Sequence, residues 1–425
     1  MLIIAVNWLS LPLIMDQKRK YSTLVLITDS FPFGGVTEPS FVLPEIDCLS
    51  SLFERVIIVP TTTYDSEDHY DLPENVEIDP IWIEHPDWRI KMRRGRFLLN
   101  PSFWHNIGGK PRRTDLTFAA SAYAFAGVMG KWIKARSIDV GETLFYTFWF
   151  DFPTVGLALL SGKNGLHYIS RAHWHDIYAD RAPGLRLKAV EQSCGIFSAG
   201  EAGARYLRDE MPSLAGKIAV EHLGCTKAFP EVVTECHLSE EKSITFLSVA
   251  RVVAQKRVDL NYKFLKALAI ARPSTQIRWI HVGDGELMTQ LRELVALDCP
   301  GNLTVDLRGR QDNQSVHRIY RDEKIDWSML LSEGEGLPIM VCESLSYGVP
   351  VVATMVDGTD EIVDDDCGLL LPADPEPEEF VRGILPYIES DFRMKSLRDE
   401  ALRKWGESFD ARVLRPLFAE KIMQL

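Results

Sequence analysis

Four charged side chains and one helix start carry the chemistry that this sequence can perform. Arg251 and Lys256 lie on the loop that should follow the strand SITFLSVA (243–250), near enough for both cations to reach one site. A pair of fixed cations suits a departing diphosphate, because negative charge grows there in the transition state. Further on, SEGEGLPIMVCESLSYGVPVVAT (332–354) places Pro338 at the first position of a helix, Gly348 at the cap after its last turn and Pro350 in the strand beyond. Glu335, Gly336 and Leu337 then occupy the turn at the helix start, where outward N–H groups make an anion site suited to a pyrophosphate. Glu343 falls inside the helix among Ile339, Met340, Val341, Cys342 and Leu345. A carboxylate in so apolar a helix needs hydrogen-bond donors. The vicinal hydroxyls of a ribose would supply two; on spacing alone, an arginine or a water serves as well.

These residues need strands to hold them, and the sequence supplies strands twice over. Short apolar runs alternate with helix-period segments in each half, the pattern of parallel sheets with crossover helices. The first half offers 22–28, 55–60, 76–83, 143–149, 167–172, 195–199 and 218–223 as strands; the second offers 243–250, 276–283, 303–309, 325–332, 349–354 and 368–372. Open sheets of this kind bind ligands at the carboxyl ends of their strands. In the second half those ends carry Arg251 and Lys256, the Gly283-Asp284-Gly285 turn, Arg308-Gly309-Arg310 and the Glu333–Gly336 run. A single GDG turn is only a turn; four such ends suggest one cleft. The polar stretch 226–243 has no sustained period and reads as the linker.

LSVARVVAQKRVDL, HVGDGELMTQL and the 332–354 segment, followed by DEIV and CGLLLP, resemble the C-terminal domain of the retaining nucleotide-sugar glycosyltransferases of family 4. The resemblance spans roughly residues 244–385, and the glutamates at 335 and 343 are its specific element. It implies the GT-B fold: two facing Rossmann-like, doubly wound parallel-sheet domains with a cleft between them. The boundaries expected are an N-terminal extension over 1–20, an acceptor domain over 21–228, a nucleotide-sugar domain over 229–405 and a C-terminal helix (406–425) crossing back to the first domain. The resemblance implies that Glu335, with the backbone at Gly336 and Leu337, holds the donor sugar and phosphate. Glu343 would then bind the ribose, Arg251 and Lys256 the diphosphate, and Gly283 with the Arg308–Gly309 turn would border the nucleotide. One position departs from the family: Arg257 stands where a glycine commonly follows the lysine.

In the first half, Gly34 and Gly35 sit between a strand and a helix, where glycines let a backbone approach a ligand closely. The family resemblance assigns them to the donor phosphates and acceptor. FYTFWFDFPTVGLAL and ISRAHWHDIYADR resemble bacterial members of the same family, which puts His173 at the reaction centre and Asp176 on the acceptor side; His175 reads as structural. The segment 88–113 carries eight Lys/Arg and no acid, interleaved with Trp88, Phe97, Leu98, Leu99, Phe103 and Trp104. Basic residues beside apolar ones suit an anionic membrane surface, though a solvated face or a basic groove has the same composition.

Composition excludes much else. The 425 residues carry 47 Lys/Arg against 60 Asp/Glu, a net charge of −13, which argues against nucleic acid as the main partner. Seven scattered cysteines without a CxxC pair read as reduced thiols in a cytoplasmic protein. Asp364–Asp366 reads as a solvated turn, not a metal site. The apolar stretch 1–15 is shorter than the ~20 residues a membrane-spanning helix needs, and Lys18, Arg19 and Lys20 follow it instead of preceding it as in a secretory signal. Residues 1–14 are expected to be an upstream-start artefact or a shallow membrane contact. The expected protein is a retaining transferase moving a sugar from a nucleoside-diphosphate donor to a hydroxyl of a lipid-linked glycan in bacterial surface polysaccharide assembly, at the cytoplasmic face of the membrane. It should need no cofactor and no metal, since Arg251 and Lys256 supply the positive charge. An epimerase or phosphorylase on the same fold, or a non-catalytic scaffold, remains the alternative.

Overall fold

The computed structural model describes residues 20–33, 38–62, 70–84, 99, 101–107, 111–178, 182–232 and 243–425. Residues 1–14, Gly34, Gly35 and most of the basic segment 88–113 lie outside them. Two parallel sheets dominate. The first has seven strands: β1 (Thr23–Thr28), β2 (Arg55–Pro60), β3 (Val76–Ile78), β4 (Thr143–Thr147), β5 (His167–Ala172), β6 (Gly195–Ser198) and β7 (Ile218–Val220), in the order β3-β2-β1-β4-β5-β6-β7. The second has six: β8 (Ser243–Val249), β9 (Gln276–Val282), β10 (Leu303–Leu307), β11 (Trp327–Leu330), β12 (Val351–Thr354) and β13 (Gly368–Leu371), in the order β10-β9-β8-β11-β12-β13.

Pleating explains why both faces of each sheet are buried. Along β1, Val25 and Ile27 pack with Phe125, Met129 and Trp132 of the helix Arg113–Ala135. Leu24 and Leu26 point the other way, onto Val42 and Ile46 of the helix Glu38–Leu52 and Phe418 of the helix Ala411–Met423. Parallel strands covered on both faces read as continuous apolar runs, which is why they were visible in the sequence. Strand order reverses between β1 and β4 in one sheet and between β8 and β11 in the other; these are the switch points where such folds bind ligands.

The expected strand 76–83 is shorter than its apolar pattern. Pro80 lacks an N–H, and the Asp79 carboxylate accepts from Ile81 N at 3.2 Å and from Trp132 Nε1 at 2.9 Å, so the chain leaves the sheet and turns into the short helix Ile81–Glu84. Phe103 corrects a second expectation. It lies on the helix Pro101–Ile107 with no exposed surface, packed in the first domain's core, so it offers nothing to a membrane; Leu99 and Trp104 are exposed.

The chain crosses between the domains twice. Cys225 N donates to Phe409 O at 3.0 Å and Ala411 N donates to Cys225 O at 3.1 Å, a bridge that aligns the two crossings. Beyond it the helix Ala411–Met423 lies on the first domain, where the Arg171 guanidinium stacks 3.9 Å from the Phe418 ring. Arg171 is fully buried and tied to Tyr146 Oη at 2.8 Å and Glu45 Oε1 at 3.3 Å. Among the described residues, no helix is long and apolar enough to cross a membrane.

Candidate active site between the two domains

The loop leaving β8 is shaped by close backbone approaches. Val252 N donates to Asp284 O at 3.0 Å, and a Cβ on Gly283 would lie 1.8 Å from Ala250 O, one on Gly285 2.3 Å from Val252 O. Gly283 also has φ 145°, so both its space and its backbone exclude a side chain. Its N–H donates to Gly309 O at 2.8 Å, which joins the GDG turn to the Arg308–Gly309 turn. The Arg308 side chain turns away into ion pairs with Asp306 at 3.0 Å and Glu323 at 2.5 Å, so this turn offers a ligand its backbone and not its guanidinium.

Lys256 ends the 3₁₀ turn Ala254–Lys256, and its Nζ sits 2.5 Å from Glu335 Oε1. Arg251 is exposed and its side chain has no ion-pair partner among the described residues. Arg257 has φ 42° and ψ 44°, the left-handed conformation that glycine adopts without strain. Its guanidinium compensates by donating to Leu331 O at 2.7 Å, Ser332 O at 3.0 Å and Ala373 O at 2.8 Å. Gln255 stitches the same turn to the β11 exit: its carbonyl accepts from Glu333 N at 2.9 Å and its Nε2 donates to Gly334 O at 2.8 Å.

The helix expected after Gly336 runs from Ile339 to Ser346, starting one residue after Pro338, and Gly348 follows it with φ 66°. Glu335 and Glu343 are 8% and 6% exposed. Among the described residues Glu343 meets no Lys or Arg: its Oε1 accepts from Asn313 Nδ2 at 2.7 Å, with His317 Nε2 3.9 Å away. Burial pushes the Glu343 carboxyl up to about 7, the Asn313 hydrogen bond opposing, and pushes His317 down to about 4. A neutral imidazole beside a carboxyl so easily protonated is not a salt bridge. Vicinal ligand hydroxyls would complete the donor set that Asn313 begins.

From the first domain, His173 reaches the same cleft. Its Nε2 lies 3.1 Å from Phe148 O; a carbonyl only accepts, so Nε2 carries the proton. Burial, aided by Arg171, holds the imidazole down to about 3, so the ring is neutral with Nδ1 as acceptor. It leans on Trp149 at 4.5 Å and Phe148 at 5.2 Å between centroids. Asp176 is buried: one oxygen accepts from His173 N at 2.5 Å and the other from Phe150 N at 2.7 Å, while burial raises its carboxyl to about 7. It therefore ties the β4 exit to the β5 exit. One small cavity is lined by His173, Trp174, Tyr178, Ser198 and Gly200 from the first domain and Glu335 and Gly336 from the second. A larger cavity of ≈ 290 Å³ opens in the β1–β4 crevice, lined by Thr28, Asp29, Thr61, Thr147, Trp149, Asp151 and His175 among others. Next to it, Glu38 fills the turn after β1: its carboxylate accepts from Asp29, Ser30 and Phe31 N–H at 2.8, 2.6 and 2.8 Å and from Trp149 Nε1 at 2.8 Å.

The structure thus brings Lys256, Glu335, Gly336 and His173 to one cleft, with Glu343 on the adjoining helix. Sequence reasoning missed Asn313, Trp174 and Gly358. Trp174 packs where Cβ atoms on Gly334 and Gly336 would be, at 3.5 and 3.0 Å; a Cβ on Gly358 would stand 1.6 Å from Gly336 O. The Asp364 carboxylate binds Lys404 Nζ and the N–H groups of Asp366 and Cys367, which makes 364–367 a turn.

Residues 234–407 match the family model described as Glycosyl transferases group 1. That match lies within the second domain, and the two facing sheets have the GT-B fold. An uncharacterized glycosyltransferase of Methanocaldococcus jannaschii is 28% identical over 152 residues, which is 36% of this chain and 40% of that protein's length. A GDP-mannose-dependent monoacylated alpha-(1-6)-phosphatidylinositol monomannoside mannosyltransferase of Corynebacterium glutamicum is 25% identical over 61% of this chain and 69% of its own. Among solved structures, the lipopolysaccharide outer core galactosyltransferase WaaB superposes with a TM-score of 0.66 at 14% identity, covering 95% of this chain and 100% of that one. The Anabaena protein HepE in complex with UDP gives 0.65 at 16% identity, with 95% and 100% covered. At these identities the structural likeness is one of fold.

Proposed function

We propose that this chain is a retaining glycosyltransferase that transfers a sugar from a nucleoside-diphosphate donor to a hydroxyl of a lipid-linked glycan, in surface polysaccharide assembly. The observation that carries this reading is that His173 of the first domain and Glu335 of the second line one narrow gap, with Lys256 paired to Glu335. Glu343 and Asn313 would hold the ribose, and the N–H groups at Gly336 and Leu337 the diphosphate. Arg251 and Lys256 would neutralise the charge that develops on the leaving group, in place of a metal. His173, neutral with Nδ1 as its acceptor atom, suits a sugar hydroxyl as partner. Retention would follow front-face attack, the leaving phosphate taking the acceptor's proton; no side chain is assigned as nucleophile. The contact between domains at Trp174 and Gly336 supports a site that excludes water and so favours transfer over hydrolysis.

The β1–β4 cavity, with Trp149 and several hydroxyl and carboxyl groups, suits the acceptor glycan. Contact with an anionic membrane through 88–113, at the cytoplasmic face, is part of the proposal and is supported by that segment's composition. The relatives' names support both a nucleotide-sugar donor and a lipid-linked acceptor. The test has two parts. A thermal-shift screen with UDP- and GDP-sugars should raise the melting temperature with one of them. Transfer of that sugar to a glycolipid should continue in EDTA and give a product of unchanged anomeric configuration. Inversion, or a strict need for added divalent metal, would overturn the mechanism; reaction without any acceptor would favour an epimerase.

A further inference from the structure

We infer that Glu361 is a positioning residue that clamps the first domain onto the second and so sets the donor loop at Glu335–Gly336. Its carboxylate belongs to the second domain, in the segment after β12, yet both oxygens are held by the first. Oε2 accepts from Glu201 N at 2.8 Å, at the start of the helix Glu201–Glu210. Oε1 lies 2.5 Å from His222 Nε2, just past β7. A Cβ on Gly200 would come 2.9 Å from Oε2 and 3.4 Å from Gly336 O, so glycine there leaves room for this carboxylate.

The same segment touches the donor loop. Gly358, with φ 83°, puts its Cα so close that a Cβ would be 1.6 Å from Gly336 O and 3.0 Å from Glu335 O. Asp357 Oδ2 accepts from Tyr178 Oη of the first domain at 3.4 Å. The segment is stiff. Thr359 Oγ1 lies 2.5 and 2.8 Å from Thr354 O and Val356 O, its one proton shared between them, and Ile362 and Val363 are fully buried. Gly336 is consequently gripped between Gly358 behind and Trp174 in front. A rigid segment that holds Gly336 at one end and the first domain at the other makes the donor loop's position depend on how the domains meet. The clamp acts through that segment, since the Glu361 carboxylate itself is occupied by His222 and Glu201.

This inference rests on the transferase reading for its kinetic part and stands apart from it for its structural part. Glu361→Ala and Glu361→Gln are compared with the wild-type full chain. Glutamine still accepts from Glu201 N, so the alanine variant should be the more severe. Expected are a kcat lowered roughly tenfold or more in Glu361→Ala, a smaller loss of affinity for UDP and GDP by calorimetry, and a rise in the radius of gyration by small-angle scattering. The scattering change should be smaller in Glu361→Gln. Unchanged scattering and kcat in Glu361→Ala would overturn the clamp. Nucleotide affinity falling as far as kcat would overturn it too, by making Glu361 part of the binding site. If wild type transfers no sugar, the transferase reading fails, and the scattering arm still decides the clamp.

Discussion

Lys256 Nζ and Glu335 Oε1, 79 residues apart in the chain, stand 2.5 Å apart where the β8 and β11 loops meet. Both side chains are mostly buried, at 20% and 9% exposure, so each charge depends on the other. Removing one leaves the other uncompensated, which costs about 3–5 kcal/mol when burial is complete and less at a partly wet site. Lys256→Met should therefore lower the melting temperature as well as weaken UDP and GDP binding. Lys256→Met with Glu335→Gln should recover stability and leave binding weak. Calorimetry and thermal unfolding of the three variants check this; if the double variant is less stable than either single one, the pair is not coupled.

Glu343 makes a pH-dependent prediction. Its carboxyl titrates near 7 when folded, against an ordinary 4.5, because it is buried. The folded chain therefore binds more protons between those values, and this group's contribution to stability is lost as pH rises through them. Glu343→Gln should match wild type at pH 5 and exceed it at pH 8 by roughly 2 kcal/mol in denaturant unfolding. Ribose hydroxyls would donate to the ionised form, so nucleotide binding near pH 6.5 should release a proton and strengthen toward pH 8. Calorimetry in buffers of different ionisation heat measures that release, and no release would remove Glu343 from the ribose site.

How much of this was legible beforehand follows from the range of each signal. The parallel sheets could be read because Leu24–Ile27 and their counterparts are buried on both faces, which leaves an unbroken apolar run. Glu335 and Glu343 share one short segment, so their spacing carried information. Asn313 had no such signature, and Glu361 stood in the DEIV segment of the family resemblance with no role attached: an amide or carboxylate says nothing of its partner until the fold supplies it, 30 residues away for Glu343 and 139 for His222. Gly200 and Gly358 carry no signal of their own in the sequence, and the approach of Glu361 and Gly336 gives them a reason. Phe103 misled in the opposite direction, since an aromatic among arginines has the same composition whether it faces lipid or a core.

Gly358 is expected to tolerate no side chain. Alanine there meets Gly336 O at 1.6 Å and a φ of 83°, and because the atoms it meets are backbone atoms of Glu335 and Gly336, no side-chain shift relieves the clash. Residue 358 lies in the connection after β12, outside both sheets, so the sheets should survive while Gly336 moves. Gly358→Ala should keep its far-ultraviolet circular dichroism and lose nucleotide-sugar affinity by tenfold or more, about 1.4 kcal/mol. Gly216, whose Cβ would meet nothing within 4 Å, is the control: Gly216→Ala should leave affinity unchanged.

Arg257 separates backbone strain from side-chain bonding at a single position. Its left-handed φ of 42° disfavours any residue with a Cβ by about 1 kcal/mol relative to glycine. Against that, the guanidinium holds three carbonyls, Leu331 O, Ser332 O and Ala373 O, joining the turn at Lys256 to the exits of β11 and β13. Charged hydrogen bonds of this kind contribute about 1.5 kcal/mol or more each, so the bonds outweigh the strain. Arg257→Gly should be less stable than wild type although it restores the relaxed backbone. Arg257→Ala, losing the bonds and keeping the strain, should be less stable again by about 1 kcal/mol. Denaturant unfolding gives the order directly. Arg257→Gly as stable as wild type would mean that the guanidinium bonds only offset the strain they accompany, and that Lys256 is positioned by the Gln255 bonds to residues 333 and 334 instead.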